Sequence, residues 1–292
     1  MASLRDYIRL MKVRIAGLLL LVAVAGFVVT SGTAIQWASL GSLVLAGFLA
    51  CTGSSVVNSY IDRDIDPLME RTRRRAATMQ AISPPEKALA LGLALVGSGI
   101  ALAWFLNNPP TAAFIGLGSL IYLGVYTLGL KRRSESNIII GGLAGSCPAL
   151  AGSAAVAATI SLGAALIALL VFLWTPGHFW TLAYRHREDY RRAGLPMLSA
   201  TRDDPIAVKA ITGSSILVAG FAVASALTPA FGIAYLLVAL ATAVGLVYAA
   251  WRFSSRPSPA TAWAGYKFSS MYLGFLLFGV IVDAIVHVPL SP

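Results

Sequence analysis

The strongest constraint on this fold is the placement of its charges. Four long stretches of the sequence contain no Asp, Glu, Lys or Arg, and a fifth contains a single acid, Asp283. These stretches cover residues 15–61, 88–130, 136–184, 210–251 and 268–292. A transmembrane helix needs roughly 20 apolar residues, so each of the first four holds two helices and the fifth holds one. The pattern predicts an all-α membrane protein, a single bundle of nine transmembrane helices.

The composition supports the same fold class. Of the 292 residues, 58% are hydrophobic and 12% are charged, and the mean hydropathy is +0.78, which is typical of integral membrane proteins. Turn-forming residues interrupt the four long stretches near their middles, at 31–32, 107–110, 158–163 and 228–229. No charged connection is long enough for a second domain. Residues 1–292 are therefore expected to form one domain within the lipid bilayer.

The parity of the crossings predicts the topology. Each long stretch crosses the membrane twice, so all 22 Lys and Arg residues return to one face, with every acid except Asp283. By the positive-inside rule this face is cytoplasmic, with the N-terminus inside and the C-terminus outside, in what we expect to be a prokaryotic cell membrane. The net charge of +10 follows from this asymmetry and does not indicate a nucleic-acid partner.

The N-terminal segment and the cysteines have simple interpretations. Basic residues precede the first apolar run, as in a secretory signal, but no clear small-residue cleavage pattern follows, so we interpret the run as a span. Cys51 and Cys147 lie in apolar stretches and are predicted to be buried, unpaired residues.

A dense group of charges, residues 58–75, follows the second predicted span. It contains Asn58, Asp62 and Asp66, which share one face if the helix continues through them. Carboxylates at this spacing suit Mg²⁺, which proteins hold with a few carboxylates and the phosphates of the substrate. A plain basic loop is the alternative. Orientation in the membrane, however, needs no regularly spaced aspartates.

Two later segments also carry polar groups near the cytoplasmic face. Lys131 and Arg132 end the fourth predicted span and are equally well explained as helix-end anchors. The fifth span opens with small residues at 141–148, which predict close helix packing, and Pro148 is expected to kink the helix.

The sixth predicted span contains an ionisable residue, His178, among aromatic residues. On one continuous helix His178, Arg185 and Asp189 share a face. An ionisable residue within a span suggests a function, and the aromatic surroundings suit a flat apolar ligand. A satisfied core histidine is the alternative interpretation. Asp283 and His287 lie on the opposite side of the membrane, and the sequence assigns them no role.

Three ordered motifs in spans two to six resemble those of the UbiA-type intramembrane prenyltransferases, in particular the haem O synthase (protoheme IX farnesyltransferase) branch. They are Asn58-x-x-x-Asp62-x-x-x-Asp66 with its basic continuation, Tyr126-Thr127-x-x-x-Lys131-Arg132-Arg133, and Trp174-Thr175-Pro176-x-His178-Phe179-Trp180 leading to Asp189-Tyr190. There are departures. Gly177 replaces a proline, Val13 replaces the proline of a K-P-R segment, and the second D-x-x-x-D of the wider superfamily is absent.

The resemblance implies a mechanism and a set of residues. It implies that Asp62, Asp66 and Asp189 hold Mg²⁺ against a prenyl diphosphate, and that Asn58, Arg71, Lys131 and Arg132 bind the diphosphate. The implied reaction transfers farnesyl from farnesyl diphosphate to a vinyl group of haem B, with addition of water, to give haem O. Haem B is then a substrate and not a prosthetic group. His178 serves as an axial ligand to the haem or as a base, and both roles stay open. Haem A synthase is implied as a further partner.

Two alternatives differ from this interpretation. A UbiA-type enzyme acting on an aromatic or lipid acceptor shares Asp62 and Asp66 but has no evident need for the 174–180 segment. A membrane transporter also carries intramembrane polar groups and broken helices. Its carboxylates, however, are expected near the midplane, whereas those of this chain gather at one face.

Overall fold

The computed structural model describes residues 4–286, and this part of the chain is helical with no strand. Nine of its helices are long and apolar enough to cross a membrane, which confirms the predicted all-α membrane fold. In chain order, spans one to nine are Val13–Ser31, Trp37–Ile61, Glu86–Leu106, Pro109–Leu130, Asn137–Ala157, Leu162–Arg185, Asp204–Ala226, Ile233–Ser255 and Pro259–Val286. Short helices lie between them at Asp66–Leu68, Arg73–Gln80, Arg187–Arg192 and Leu198–Thr201. His287 lies outside the described residues.

The spans form a closed ring in chain order. Each span packs against the next, and span nine returns to span one. Span one also packs against spans five and six, and span six packs against span nine. The predicted turns fall between spans one and two, three and four, five and six, and seven and eight, as the helix bounds show. Cys51 and Cys147 are both unpaired.

The crossing of spans one and five depends on small residues. A Cβ atom added at Gly152 would overlap the backbone of Ala23, and one added at Gly26 would overlap the backbone of Ala149. The predicted close packing at the start of span five is also present, because a Cβ at Gly141 would come within 2.6 Å of the Tyr126 ring. Without side chains between them, helix backbones in a membrane gain van der Waals contact at short range.

Two helix continuations predicted from the sequence are wrong. Span two ends at Ile61, and Asp62 is the residue that caps it. The chain then turns, and Asp66 and Pro67 open a short 3₁₀ helix, because proline donates no N–H to a preceding turn and crowds the carbonyl four residues earlier. The second helix, span six, ends at Arg185, so His178 and Asp189 lie on different helices.

Asp283, to which the sequence assigned no role, has a structural one. It is 3% exposed and accepts hydrogen bonds from the backbone N–H of Gly232 at 2.6 Å and of Tyr235 at 3.1 Å. These N–H groups open span eight and have no acceptor within the helix. The carboxylate therefore caps this helix end, where negative charge is also favoured by the helix dipole.

Candidate active site

Two buried aspartates lie where span two reaches the loop that follows it. Asp62 is fully buried and Asp66 is 2% exposed. Each has a cationic partner: Lys131 forms an ion pair with Asp62, and Arg75 donates to both oxygens of Asp66, at 2.8 and 2.5 Å. A two-pronged arginine contact of this kind fixes the carboxylate in position as well as neutralising it.

Asn58 connects the first aspartate to three parts of the chain. Its amide donates to Asp62 at 2.9 Å and to Thr127 in span four at 3.2 Å, and its carbonyl oxygen accepts from Lys12 at 2.6 Å. The end of span four is wound as a π-helix, with the N–H of Lys131 bonded to the carbonyl of Tyr126. Such wide turns are rare and occur often at functional sites. Here the π-helix places Thr127 against Asn58 and Lys131 against Asp62.

One carboxylate oxygen in this group has no hydrogen-bond partner. Asp62 Oδ1 is buried, and the guanidinium of Arg132 is 3.8 Å from it. An unpaired oxygen in a buried carboxylate is a suitable ligand for a divalent cation. Among residues 4–286, no group of three or more His, Cys, Asp or Glu side chains lies close enough together to hold a metal ion by itself.

Positive charge exceeds negative charge around these aspartates. Burial lowers the pKa of Lys12, and the charges of Arg75 and Lys131 lower it further, while Asp62 and Asp66 raise it. Burial also lowers the pKa of Lys131, and the ion pair with Asp62 acts against that shift. Three cations facing two carboxylates in a desolvated site produce a potential that attracts anions.

The second loop contributes Asp189, which joins the two loops. The backbone N–H of Arg71 donates to Asp189 at 3.2 Å, and the Arg71 guanidinium donates to the hydroxyl of Tyr190 at 3.4 Å. Arg132 instead forms two hydrogen bonds with the exposed Asp64, at 2.6 and 2.7 Å, which lower the pKa of that carboxyl. A shared metal role for Asp62, Asp66 and Asp189 stays a prediction.

His178 is held on three sides in span six. Its ring stacks between Trp174, with centroids 4.1 Å apart, and Tyr266, at 4.4 Å. Its Nδ1 atom is 3.2 Å from the hydroxyl of Ser269. His178 lies seven residues before Arg185, which ends the span, and so about 10 Å deep at 1.5 Å per residue. The imidazole is thus fixed in orientation below the end of the bundle that carries the charged loops.

The UbiA prenyltransferase family model matches residues 19–276 of this sequence. The chain belongs to that family. This confirms the resemblance drawn from the three motifs and the predicted enzyme class, a prenyltransferase, and it removes the transporter alternative. The family match covers all nine spans, the first and last of them in part.

Relatives of this UbiA-family chain are similar over almost their whole length. It is 39% identical to protoheme IX farnesyltransferase 1 of Cenarchaeum symbiosum, covering 98% of this chain and 97% of the relative. It is 41% identical to the protoheme IX farnesyltransferase of Metallosphaera sedula, covering 98% of both chains.

Solved structures share the fold at lower identity. A digeranylgeranylglyceryl phosphate synthase superposes with a TM-score of 0.79 at 20% identity, covering 98% of this chain and all of that one. A UbiA homologue from Archaeoglobus fulgidus, bound to DMAPP and Mg²⁺, superposes with a TM-score of 0.65 at 16% identity, covering 95% and 99%. These similarities confirm the UbiA architecture.

Sequence reasoning missed two cations of the site in this UbiA-family protein. Arg75 was one of several adjacent arginines, and only the fold shows that it pairs with Asp66. Lys12 lies 46 residues from Asn58, and its positive φ of 49° and ψ of 47° place it in the left-handed region, which is unfavourable for a residue with a side chain. The K-x-R segment at 12–14, part of the resemblance, was the signal that could have identified Lys12.

Proposed function

We propose that this protein transfers a farnesyl group from farnesyl diphosphate to a vinyl group of haem B, making haem O. The observation that carries the proposal is the identity of 39 to 41% with protoheme IX farnesyltransferases over nearly the whole chain. The buried pair of aspartates, with cations around it, supplies a site of the right charge for the diphosphate end. The active loops are proposed to face the cytoplasm of a prokaryotic cell, with haem A synthase as the recipient of the product.

Ionisation of the allylic C–O bond is the difficult part of this reaction, because negative charge builds on the departing diphosphate. Mg²⁺ bound at Asp62, Asp66 and Asp189 would neutralise that charge. The residues of the chain do the remaining work. Asp62 offers its unpaired Oδ1 to the metal, and Asn58 holds that carboxylate in place through its amide.

The cations of the site are proposed to bind the diphosphate oxygens. Lys131 lies at the end of span four and Arg71 lies in the first loop, and both can donate to phosphate. Arg132 is proposed to do the same once its hydrogen bonds to Asp64 are exchanged for phosphate. Preorganised donors of this kind stabilise a leaving group without rearrangement at the moment of reaction.

The farnesyl carbon then bonds to the terminal vinyl carbon of haem B. Water adds to the neighbouring carbon, and one proton is lost, which gives a hydroxyethylfarnesyl group. The apolar spans are proposed to keep water from the allylic cation until the vinyl group is in place. His178 is proposed to act on the haem side, as an axial ligand or as a base, because its Nδ1 contact with Ser269 orients the ring and leaves Nε2 for a substrate.

A membrane assay tests the function directly. Membranes containing the protein would be incubated with haem B, farnesyl diphosphate and Mg²⁺, and the extracted haem species would be weighed by mass spectrometry. We expect a haem heavier by one farnesyl group and one hydroxyl, which disappears with EDTA and returns with Mg²⁺. Prenylation of an aromatic acid or a glycerol-phosphate lipid instead would keep the family and reject haem as the acceptor. His178→Ala should then lose the haem product while release of diphosphate from the prenyl donor can still be followed.

Lys12→Met tests the unexpected member of the site. The change keeps an unbranched side chain, one atom shorter, but removes the charge and the donor to Asn58, so we expect the KM for farnesyl diphosphate to rise about tenfold. The matched control is Arg14→Met, an exposed cation two residues later, which should change KM less than twofold. Equal effects of the two changes on KM would show that only overall positive charge matters.

A further inference from the structure

A series of aromatic rings joins spans six and nine. Trp174 stacks on His178 at 4.1 Å, His178 on Tyr266 at 4.4 Å, and Tyr266 on Trp263 at 5.3 Å, with interplanar angles of 23°, 29° and 13°. His186 lies nearly perpendicular to Trp263, with centroids 6.4 Å apart. We call these five rings the aromatic ladder. Near-parallel stacking along the ladder favours a flat aromatic partner, because offset faces at these separations attract each other.

The ladder runs from the buried interior to an exposed end. Trp174 is 6% exposed and His178 is 7% exposed, whereas Trp263 is 38% exposed. Hydrogen bonds fix the buried end, where the indole of Trp174 donates to the carbonyl of Ser269 at 2.9 Å. Trp263, the outermost ring of the ladder, therefore packs against a fixed stack of rings and keeps exposed surface that a ligand can contact.

Cations surround the exposed end of the ladder. His186 directly follows the exposed Arg185. Arg71 contacts the helix that begins after His186, at Asp189 and Tyr190, over 3.2 and 3.4 Å. A ligand that lies on Trp263 thus has its outer edge in a positive potential, which suits carboxylates.

We propose that the aromatic ladder is the docking site of the acceptor, a planar tetrapyrrole whose macrocycle stacks on Trp263 and whose carboxylates face Arg185. The proposal rests on the proposed function and names the residues that would recognise the acceptor. A prenyl chain is a poorer fit, because a flexible tail gains nothing from parallel rings and has no charge to place beside the arginines. Tyr266 and Trp263 lie between this docking position and His178, so the acceptor binds here first and reaches His178 only in a second, deeper position.

Equilibrium binding of haem B to the purified full-length protein tests the proposal without turnover. Absorption titrations would compare the wild type with Trp263→Leu, Trp263→Phe and a matched control, Trp251→Leu, which removes another exposed tryptophan on span eight, 61% exposed. We expect Trp263→Leu to weaken haem binding about tenfold, Trp263→Phe about threefold or less, and Trp251→Leu not at all. The dimethyl ester of haem B should bind the wild type about tenfold more weakly than the free acid does, and Arg185→Gln should remove most of that difference.

Farnesyl diphosphate binding, measured on the same variants, separates this proposal from the proposed function. Unchanged affinity for farnesyl diphosphate with weakened haem binding in Trp263→Leu supports the ladder. Unchanged haem affinity in Trp263→Leu, in a protein that still makes farnesylated haem, overturns the ladder and leaves the function standing. Equal losses in Trp263→Leu and Trp251→Leu would identify Trp263 as an ordinary membrane-interface residue, and that also overturns the proposal. A wild type that binds no haem overturns both.

Discussion

Asp62→Asn is expected to lower kcat for prenyl transfer by about 1,000-fold, the largest effect of any single change at the site. Asparagine keeps the shape of the side chain and an oxygen that can accept from Lys131. It removes the negative charge, however, and with it the capacity of the buried Oδ1 to act as a charged metal ligand. The measurement is release of diphosphate from farnesyl diphosphate at saturating Mg²⁺.

Asp64→Asn is the matched control, since this carboxylate lies two residues away in the same loop. Asp64 has a 58% exposed side chain and pairs with Arg132, and it has no contact with Lys131 or Asn58 among the interactions described. We expect a change in kcat of less than about threefold, in line with the small worth of exposed ion pairs. A loss of less than tenfold in Asp62→Asn would remove this aspartate from the catalytic group.

Gly152→Ala is expected to destabilise the protein by about 3 kcal/mol or more. The new methyl group would overlap the carbonyl of Ala23 in span one, and backbone atoms cannot rotate away as a side chain can. Spans one and five would have to separate, which also disturbs the contact between Gly26 and Ala149 one turn away along the crossing. Loss of monodisperse protein on heating, followed by size-exclusion chromatography, measures the effect.

Gly220→Ala gives the opposite expectation in the same kind of helix. A Cβ atom at Gly220 would meet nothing within 4 Å, so the change adds helix propensity without a clash. We expect the midpoint of thermal inactivation to stay the same or rise slightly. A similar loss of stability in both variants would show that the close packing of spans one and five does not explain the effect of the change at Gly152.

The sequence by itself determined the membrane fold and supplied the candidate residues of the site. Because lipid cannot hydrogen-bond to the backbone, uncharged stretches twice the length of a span have to form helical hairpins, and the predicted turns follow from that rule. The positions of Asn58, Asp62, Lys131 and His178 were also predictable, since polar residues beside long apolar spans are few. Their order along the chain resembled a known family.

Only the tertiary structure decided how these residues are partnered. Pro67 and the break at His186 ended two helices that periodicity alone would continue, so the carboxylates are held by turns and cations and not by one helical face. The contacts of Lys12 with Asn58 and of Trp263 with Tyr266 depend on how the ring of spans closes. Local sequence specifies which segments enter the membrane, because burial is a property of each segment. The choice of partner depends on packing between distant segments, which sequence spacing does not encode.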